Sequence, residues 1–251
     1  MLRILATYNI KGGVGKTTAA VNLACLAALD GLRTLLWDLD PQGGASFCLS
    51  IKARVKGGSR GLIDGKRELG EAIRPTVYAG LDLLPADLSY RNMDLHLDVQ
   101  KKPERRLLKM MRPLSREYDL LLLDCAPNIS LVADNVFRAA DALLMPVIPN
   151  PLAMRAIPQV QRYLKRSKLE DVMLLPFFSM VDRRKRLHRD FIETPPDDLA
   201  DFMGAYIPYS SEIERMSLRR EPLVSYAPGS RAGQSFIELW DEMQERLGLS
   251  A

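Results

Sequence analysis

The stretch that most narrows what this chain can become is Asn9-Ile10-Lys11-Gly12-Gly13-Val14-Gly15-Lys16-Thr17-Thr18. It stands between an apolar run, Leu2 to Tyr8, and a long run of small and apolar residues, Ala19 to Leu29, followed by Gly31. The first run reads as a buried strand and the second as a helix stopped by glycine. A strand that turns through glycines straight into a helix is the setting a phosphate-binding loop requires. Glycine lets the backbone bend so that successive N–H groups face one anion, and the helix start adds partial positive charge. Lys16 supplies a full charge, and Thr17 is placed to offer its hydroxyl to a magnesium ion. The strict pattern G-x-x-x-x-G-K-[ST] is not met, because Ile10 stands at the first glycine position and a second lysine, Lys11, precedes Gly12.

Further apolar runs alternate with helical patterns to the end of the chain. Arg33 to Trp37, Asp119 to Asp124, Ala142 to Val147 and Val172 to Val181 read as strands, the last as a long central one, and Tyr78 to Pro85 reads as a turn and a strand. Ala205 to Pro208 reads as a shorter strand. Leu120 to Leu123 is continuously apolar, the mark of a strand buried on both faces at the centre of a parallel sheet. Asn150 followed by Pro151 marks a helix start, and Arg231 to Leu247 reads as a terminal helix. Ile51 to Arg67, rich in Gly, Lys and Arg, reads as a mobile surface excursion, and Lys101 to Arg116 as a basic amphipathic helix broken near Pro113. With no composition break, residues 1–251 are expected to form one α/β domain, a doubly wound, mostly parallel sheet with helices on both faces.

Two acidic groups fall at expected strand ends, where open α/β sheets bind ligands. Asp38-Leu39-Asp40-Pro41-Gln42-Gly43 closes the second strand, and Asp124-Cys125-Ala126-Pro127 closes the apolar run. No stretch of about 18 apolar residues exists, so no membrane-spanning helix is expected, and the immediate first strand leaves no room for a signal peptide. Cys25, Cys48 and Cys125 show no metal-type spacing and fit a reducing cytosol. The net charge of +4 permits an acidic partner.

The run Lys11-Gly12-Gly13-Val14-Gly15-Lys16-Thr17-Thr18, with Asp38-Leu39-Asp40-Pro41-Gln42-Gly43 and Asp124-Cys125-Ala126-Pro127, resembles the deviant phosphate loop and switches of the ParA/MinD ATPases across essentially the whole chain. The resemblance is strongest to the small ParA/Soj type and implies a P-loop fold and ATP hydrolysis with Mg2+. Lys11, Gly12, Gly13, Val14, Gly15, Lys16, Thr17 and Thr18 would then hold the nucleotide. Lys16 would lie on the β- and γ-phosphates, and Lys11 would reach the phosphates of a facing subunit, so that ATP joins a homodimer. Asp40 would orient the attacking water. Thr17, Asp38 and Asp124 would serve the metal, and Met180 and Asp182 would neighbour the adenine. Ala126 stands where many relatives carry proline.

The same resemblance implies slow hydrolysis accelerated by a ParB-like or cargo-adaptor partner. It also implies non-specific DNA binding in the ATP state, hence a cytoplasmic, nucleoid-associated protein that positions a chromosome, plasmid or protein assembly. The expected DNA contacts are Arg183, Arg184, Lys185, Arg186 and Arg189, with Arg215, Arg219 and Arg220, although Glu212 and Glu214 fall where partition relatives place an arginine. Two other readings share the loop. A MinD-like membrane regulator would end in a basic amphipathic helix, but after Gly229 two arginines face Glu238, Asp241, Glu242 and Glu245. A metabolic ligase of dethiobiotin synthetase type usually lacks a lysine at the Lys11 position. No helix-turn-helix precedes the loop, and the cysteines do not match those of iron–sulfur relatives.

Overall fold

The computed structural model describes residues 2–195, 199 and 201–249. Seven strands form one sheet in the order β3-β4-β2-β5-β1-β6-β7. They are β1 (Arg3–Thr7), β2 (Thr34–Asp38), β3 (Arg74–Pro75), β4 (Leu81–Leu84), β5 (Leu120–Asp124), β6 (Ala142–Val147) and β7 (Met173–Phe178). All pairings are parallel except that of the two-residue β3 with β4. The expected α/β, doubly wound, mostly parallel sheet is therefore the observed one.

The central position of β5 follows from its sequence. Leu120 and Leu122 point to one face and Leu121 and Leu123 to the other, and all four are fully buried. On one face lie α1 (Lys16–Leu29) and the terminal helix Arg231–Leu247. On the other lie the helices Leu131–Ala139 and Ala156–Arg166 and the short helices Gly58–Ile63, Met93–Asp98 and Arg106–Met111. Parallel strands covered on both faces have no polar side to show, which is why this sheet reads as unbroken apolar runs.

The terminal helix packs Phe236, Leu239, Trp240 and Met243 into the core, each at most 1% exposed. The indole N–H of Trp240 donates to Asp30 at 2.6 Å. Burying four such side chains contributes about 8 kcal/mol, at about 2 each, which rivals the whole stability of a typical domain. The stripe belongs to the core and is not free to enter a bilayer. Among the described residues, no helix is long and apolar enough to cross a membrane.

Three sequence expectations need correction. β7 is an edge strand of the sheet, not a central one. Its Met173 and Leu174 start outside the core, and burial is complete only from Leu175 onward. Ala205 to Pro208 supplies a single bridge, Val181 to Pro208, in place of a strand. The Ile51 to Arg67 excursion is anchored: Val55, Leu62 and Ile63 are core residues, and Gly58–Ile63 is helical. Its basic residues dominate the composition, but two adjacent large apolar side chains decide where it packs.

Candidate functional site

The loop leaves β1 at Tyr8 and enters α1 at Lys16. Asn9, fully buried, braces its start: the side-chain amide donates to the Pro146 carbonyl at 2.8 Å, and its oxygen accepts from the Lys11 N–H at 2.9 Å. Gly13 and Gly15 adopt φ of +69° and +93°, the left-handed region that L side chains avoid. At Gly15 a side chain would also collide, since an added Cβ would stand 2.9 Å from Ser179 Oγ. Lys16 is buried at the base of the loop, where its ammonium donates to the Lys11 carbonyl at 3.2 Å. Burial pushes its pKa down, and the charges of Asp124 and Asp40 oppose that shift. Lys11 is half-buried, and its ammonium turns back to donate to the Leu152 carbonyl.

Parallel register sets the carboxylates side by side. Thr7, Asp124 and Asp38 are direct partners across β1, β5 and β2, at the same C-terminal sheet edge as the loop. All three are fully buried. One oxygen of Asp38 accepts from both the N–H and the hydroxyl of Ser46, each at 2.7 Å. One oxygen of Asp124 accepts from the Thr7 hydroxyl at 3.3 Å. The second oxygen of each carboxylate, Asp38 Oδ1 and Asp124 Oδ2, is buried without a hydrogen-bond partner.

A buried carboxylate oxygen left unpaired is costly unless a cation or proton meets it. Burial raises the pKa of Asp124, with a further push from the Asp38 charge, while Thr17 and Lys16 pull it back. Burial likewise raises Asp38, against the Ser46 hydrogen bonds. Thr17 lies beside this pair, since its hydroxyl acts directly on the Asp124 carboxylate, and its side chain packs against Gly44. A hydroxyl and two orphaned oxygens next to a phosphate loop fit a magnesium ion held partly through water. Asp40 is half-buried on the following turn, its oxygen accepting from the Gln42 N–H at 2.9 Å.

Of the expected adenine neighbours, the structure brings only one to the loop. Met180 shares a pocket with Gly15, Thr18, Ile207 and Pro208. Its φ of +56° is a left-handed conformation rare for a side chain of that size, the kind of strain that clusters at binding sites. Asp182 does not line that pocket and is occupied by Arg184, whose guanidinium donates to both of its oxygens at 2.9 Å. That pairing holds the Asp182 carboxyl down at about 2.

The two expected DNA-contact clusters are exposed but partly engaged. Arg184 is paired with Asp182 and Arg186 with Asp190, while Arg189 donates to the carbonyls of Arg183 and Arg184. Arg219 lies over the Tyr226 ring and Arg220 over the Phe47 ring, at 4.6 and 4.5 Å from the centroids. Lys185 and Arg215 are exposed, and no ion pair involves them among the described residues. Sequence reasoning missed Ser46, Thr7 and Asn9 as site residues, and only Asn9 gave a signal by opening the loop motif.

Comparison with known proteins agrees with this geometry. The AAA domain family model matches residues 2–173. The sporulation initiation inhibitor protein Soj of Bacillus subtilis is 30% identical over 252 residues, covering 97% of this chain and 98% of Soj. Cobyrinic acid a,c-diamide synthase of Mycobacterium smegmatis, with bound ADP and magnesium, has a TM-score of 0.82 at 24% identity, covering 100% of this chain and 98% of that one. The septum site-determining protein MinD of Pyrococcus horikoshii OT3, complexed with Mg-ADP, has a TM-score of 0.80 at 24% identity, covering 100% and 99%. The two structural likenesses establish the fold. A parallel sheet whose first strand, beside the central one, feeds a glycine loop and helix next to two buried carboxylates is that of a P-loop nucleotide-binding protein. The chain belongs, more narrowly, to the ParA/MinD family of ATPases, on its ParA/Soj side.

Proposed function

We propose that this chain, over residues 1–251 as one unit, is a magnesium-dependent ATPase that dimerises around ATP. In that state it holds duplex DNA without sequence preference and positions a cargo over the nucleoid in the cytoplasm. Hydrolysis is slow until a ParB-like or cargo-adaptor protein stimulates it. The observation that carries the reading is Lys16, buried at the base of a loop that also carries Lys11, beside the unpaired oxygens of Asp38 and Asp124 at one sheet edge. The full-length relationship to Soj and the magnesium-bound nucleotides of the structural neighbours support it.

Each residue has a task. Backbone N–H groups from Gly12 to Thr18 cradle the phosphates, and Lys16 neutralises charge developing on the transferred group. Thr17 offers a hydroxyl to magnesium, with Asp38 and Asp124 in its hydration shell. Magnesium held there would supply positive charge that offsets charge on the phosphates. Asp40, outside the buried pair, orients the attacking water. Lys11 exchanges its Leu152 carbonyl for phosphate oxygens of a facing subunit, which makes dimerisation conditional on ATP. Met180 borders the adenine, and Arg183, Lys185 and Arg215 are the freest of the proposed DNA contacts among the described residues.

The test is retention on random-sequence duplex DNA with ATP, ADP or no nucleotide, beside anionic liposomes and with the Lys11→Ala and Asp40→Ala variants. The reading expects ATP to increase retention, Lys11→Ala to abolish that increase and Asp40→Ala to prolong it. Liposome capture in place of ATP-stimulated DNA retention would move the protein to the membrane-cycling branch.

A further inference from the structure

An uncompensated basic surface lies apart from both clusters. A cleft of about 700 Å3 is lined by Gln100, Lys101, Lys102, Arg105, Arg106, Leu108, Lys109 and Arg112. Among the described residues none of its six cations takes part in an ion pair. The nearby Asp64 is already engaged by Arg60, Lys66 and Gln100. Glu104 is the one acid inside the segment.

The cleft is fixed in place. Leu107 and Met111 are fully buried on the face opposite α1. Asn135 grips the backbone twice, accepting from the Leu107 N–H at 3.0 Å and donating to the Pro103 carbonyl at 2.7 Å. Arg106 Nε donates to the Ile63 carbonyl at 2.7 Å, tying the segment to the Gly58–Ile63 helix. None of these anchors is a residue of the phosphate loop or its carboxylates.

We propose that this cleft is a second DNA site, a docking surface for the phosphate backbone of duplex DNA that works without nucleotide. Arg105, Lys109 and Arg112 are all exposed along three consecutive short helical pieces, Pro103–Arg105, Arg106–Met111 and Arg112–Arg116. A duplex carries one phosphate charge per about 1.7 Å of its axis, so a row of unpaired cations lying along it meets several phosphates. Leu108 is the only apolar lining residue, and no aromatic ring is present. Protein partners need apolar or aromatic anchors and disfavour lysine, so an acidic protein segment fits less well. Single strands need rings to stack on, so a duplex fits better. The site stands independently of the ATP-state binding proposed above.

The experiment titrates the full chain with random-sequence duplex DNA, without nucleotide, from about 50 to 200 mM salt, beside the triple variant K102Q/R105Q/K109Q. All three positions are exposed, so folding is expected to survive, as circular dichroism checks. At about 0.9 per phosphate contact, the slope of log affinity against log salt becomes shallower by about 2.7. Over that fourfold salt range the affinity loss shrinks about forty-fold. The charge-retaining K102R/R105K/K109R keeps the wild-type slope. So does R162Q/K165Q/R166Q, which removes three exposed charges from the Ala156–Arg166 helix. An unchanged slope in the first variant, or an equal change in the last, overturns the site. Loss of poly-glutamate binding with duplex binding intact assigns the cleft to an acidic protein and overturns it too. The ATPase reading fails by a different result, the absence of any ATP-stimulated retention.

Discussion

Without magnesium, the buried pair Asp38–Asp124 should make the protein lose stability as the pH rises from the usual carboxylate range toward neutrality. Both groups have folded-state pKa values raised above their unfolded ones, Asp124 chiefly by burial and then by the Asp38 charge. The folded state therefore holds its protons more tightly than the unfolded chain. Its advantage is full below about pH 4, where both states are protonated, and fades as the pH climbs through the raised values. One carboxylate that is protonated when folded and ionised when unfolded costs at most about 1.4 kcal/mol per pH unit. From pH 5 to 7 that is at most about 2.7 kcal/mol for Asp124 alone, or 5–10 °C of melting temperature for a chain of this size. Asp124→Asn removes the ionisation while keeping the shape, so its melting temperature should fall less over this range. It should also exceed wild type at pH 7 without magnesium. Magnesium with nucleotide should restore wild type at pH 7 and do little for the variant, since the cation takes the place of the proton. Calorimetry at pH 5, 6 and 7 reads all of this. Parallel curves for wild type and variant would refute the claim that the orphaned oxygens store this cost.

Gly15→Ala places a side chain at φ +93° and a Cβ 2.9 Å from Ser179 Oγ. The conformation alone costs about 1–2 kcal/mol, and nucleotide binding should weaken at least about tenfold, as titration with a fluorescent ATP analogue would reveal. Ser46→Ala removes a hydroxyl that donates to Asp38 and accepts from the Ala86 N–H at 2.9 Å. Denaturant unfolding should report a loss of about 2–3 kcal/mol, and a value under about 0.5 would remove Ser46 from the support of Asp38.

Much of the fold was legible because its signals are local. The Leu120–Leu123 run announced a strand with two covered faces, and Asn150-Pro151 announced a helix start that the structure caps through the Ala153 N–H at 2.8 Å. Strand order was less legible. β7 looks as apolar as β6, but whether another strand pairs beyond it depends on chain far away, and the Ala205–Pro208 segment contributes one bridge. Leu62 and Ile63 were hidden among bases for the same reason, since burial there depends on Leu97, Leu107 and Met111, which share their core cluster.

The site divides along the same line. Glycines 13 and 15 could be read directly, because the left-handed backbone they adopt admits few other residues. Asp38 and Asp124 could be read as strand-end acids, but not as partners, since their contact comes from a register that joins positions 86 residues apart. Ser46 was invisible because a serine on a short helix has many uses, and only the fold turns it toward Asp38. The chemistry therefore lies in two layers. Local backbone geometry builds the phosphate cradle, and parallel register forces two like charges together beside it, so that a divalent cation relieves a strain the sheet itself imposes.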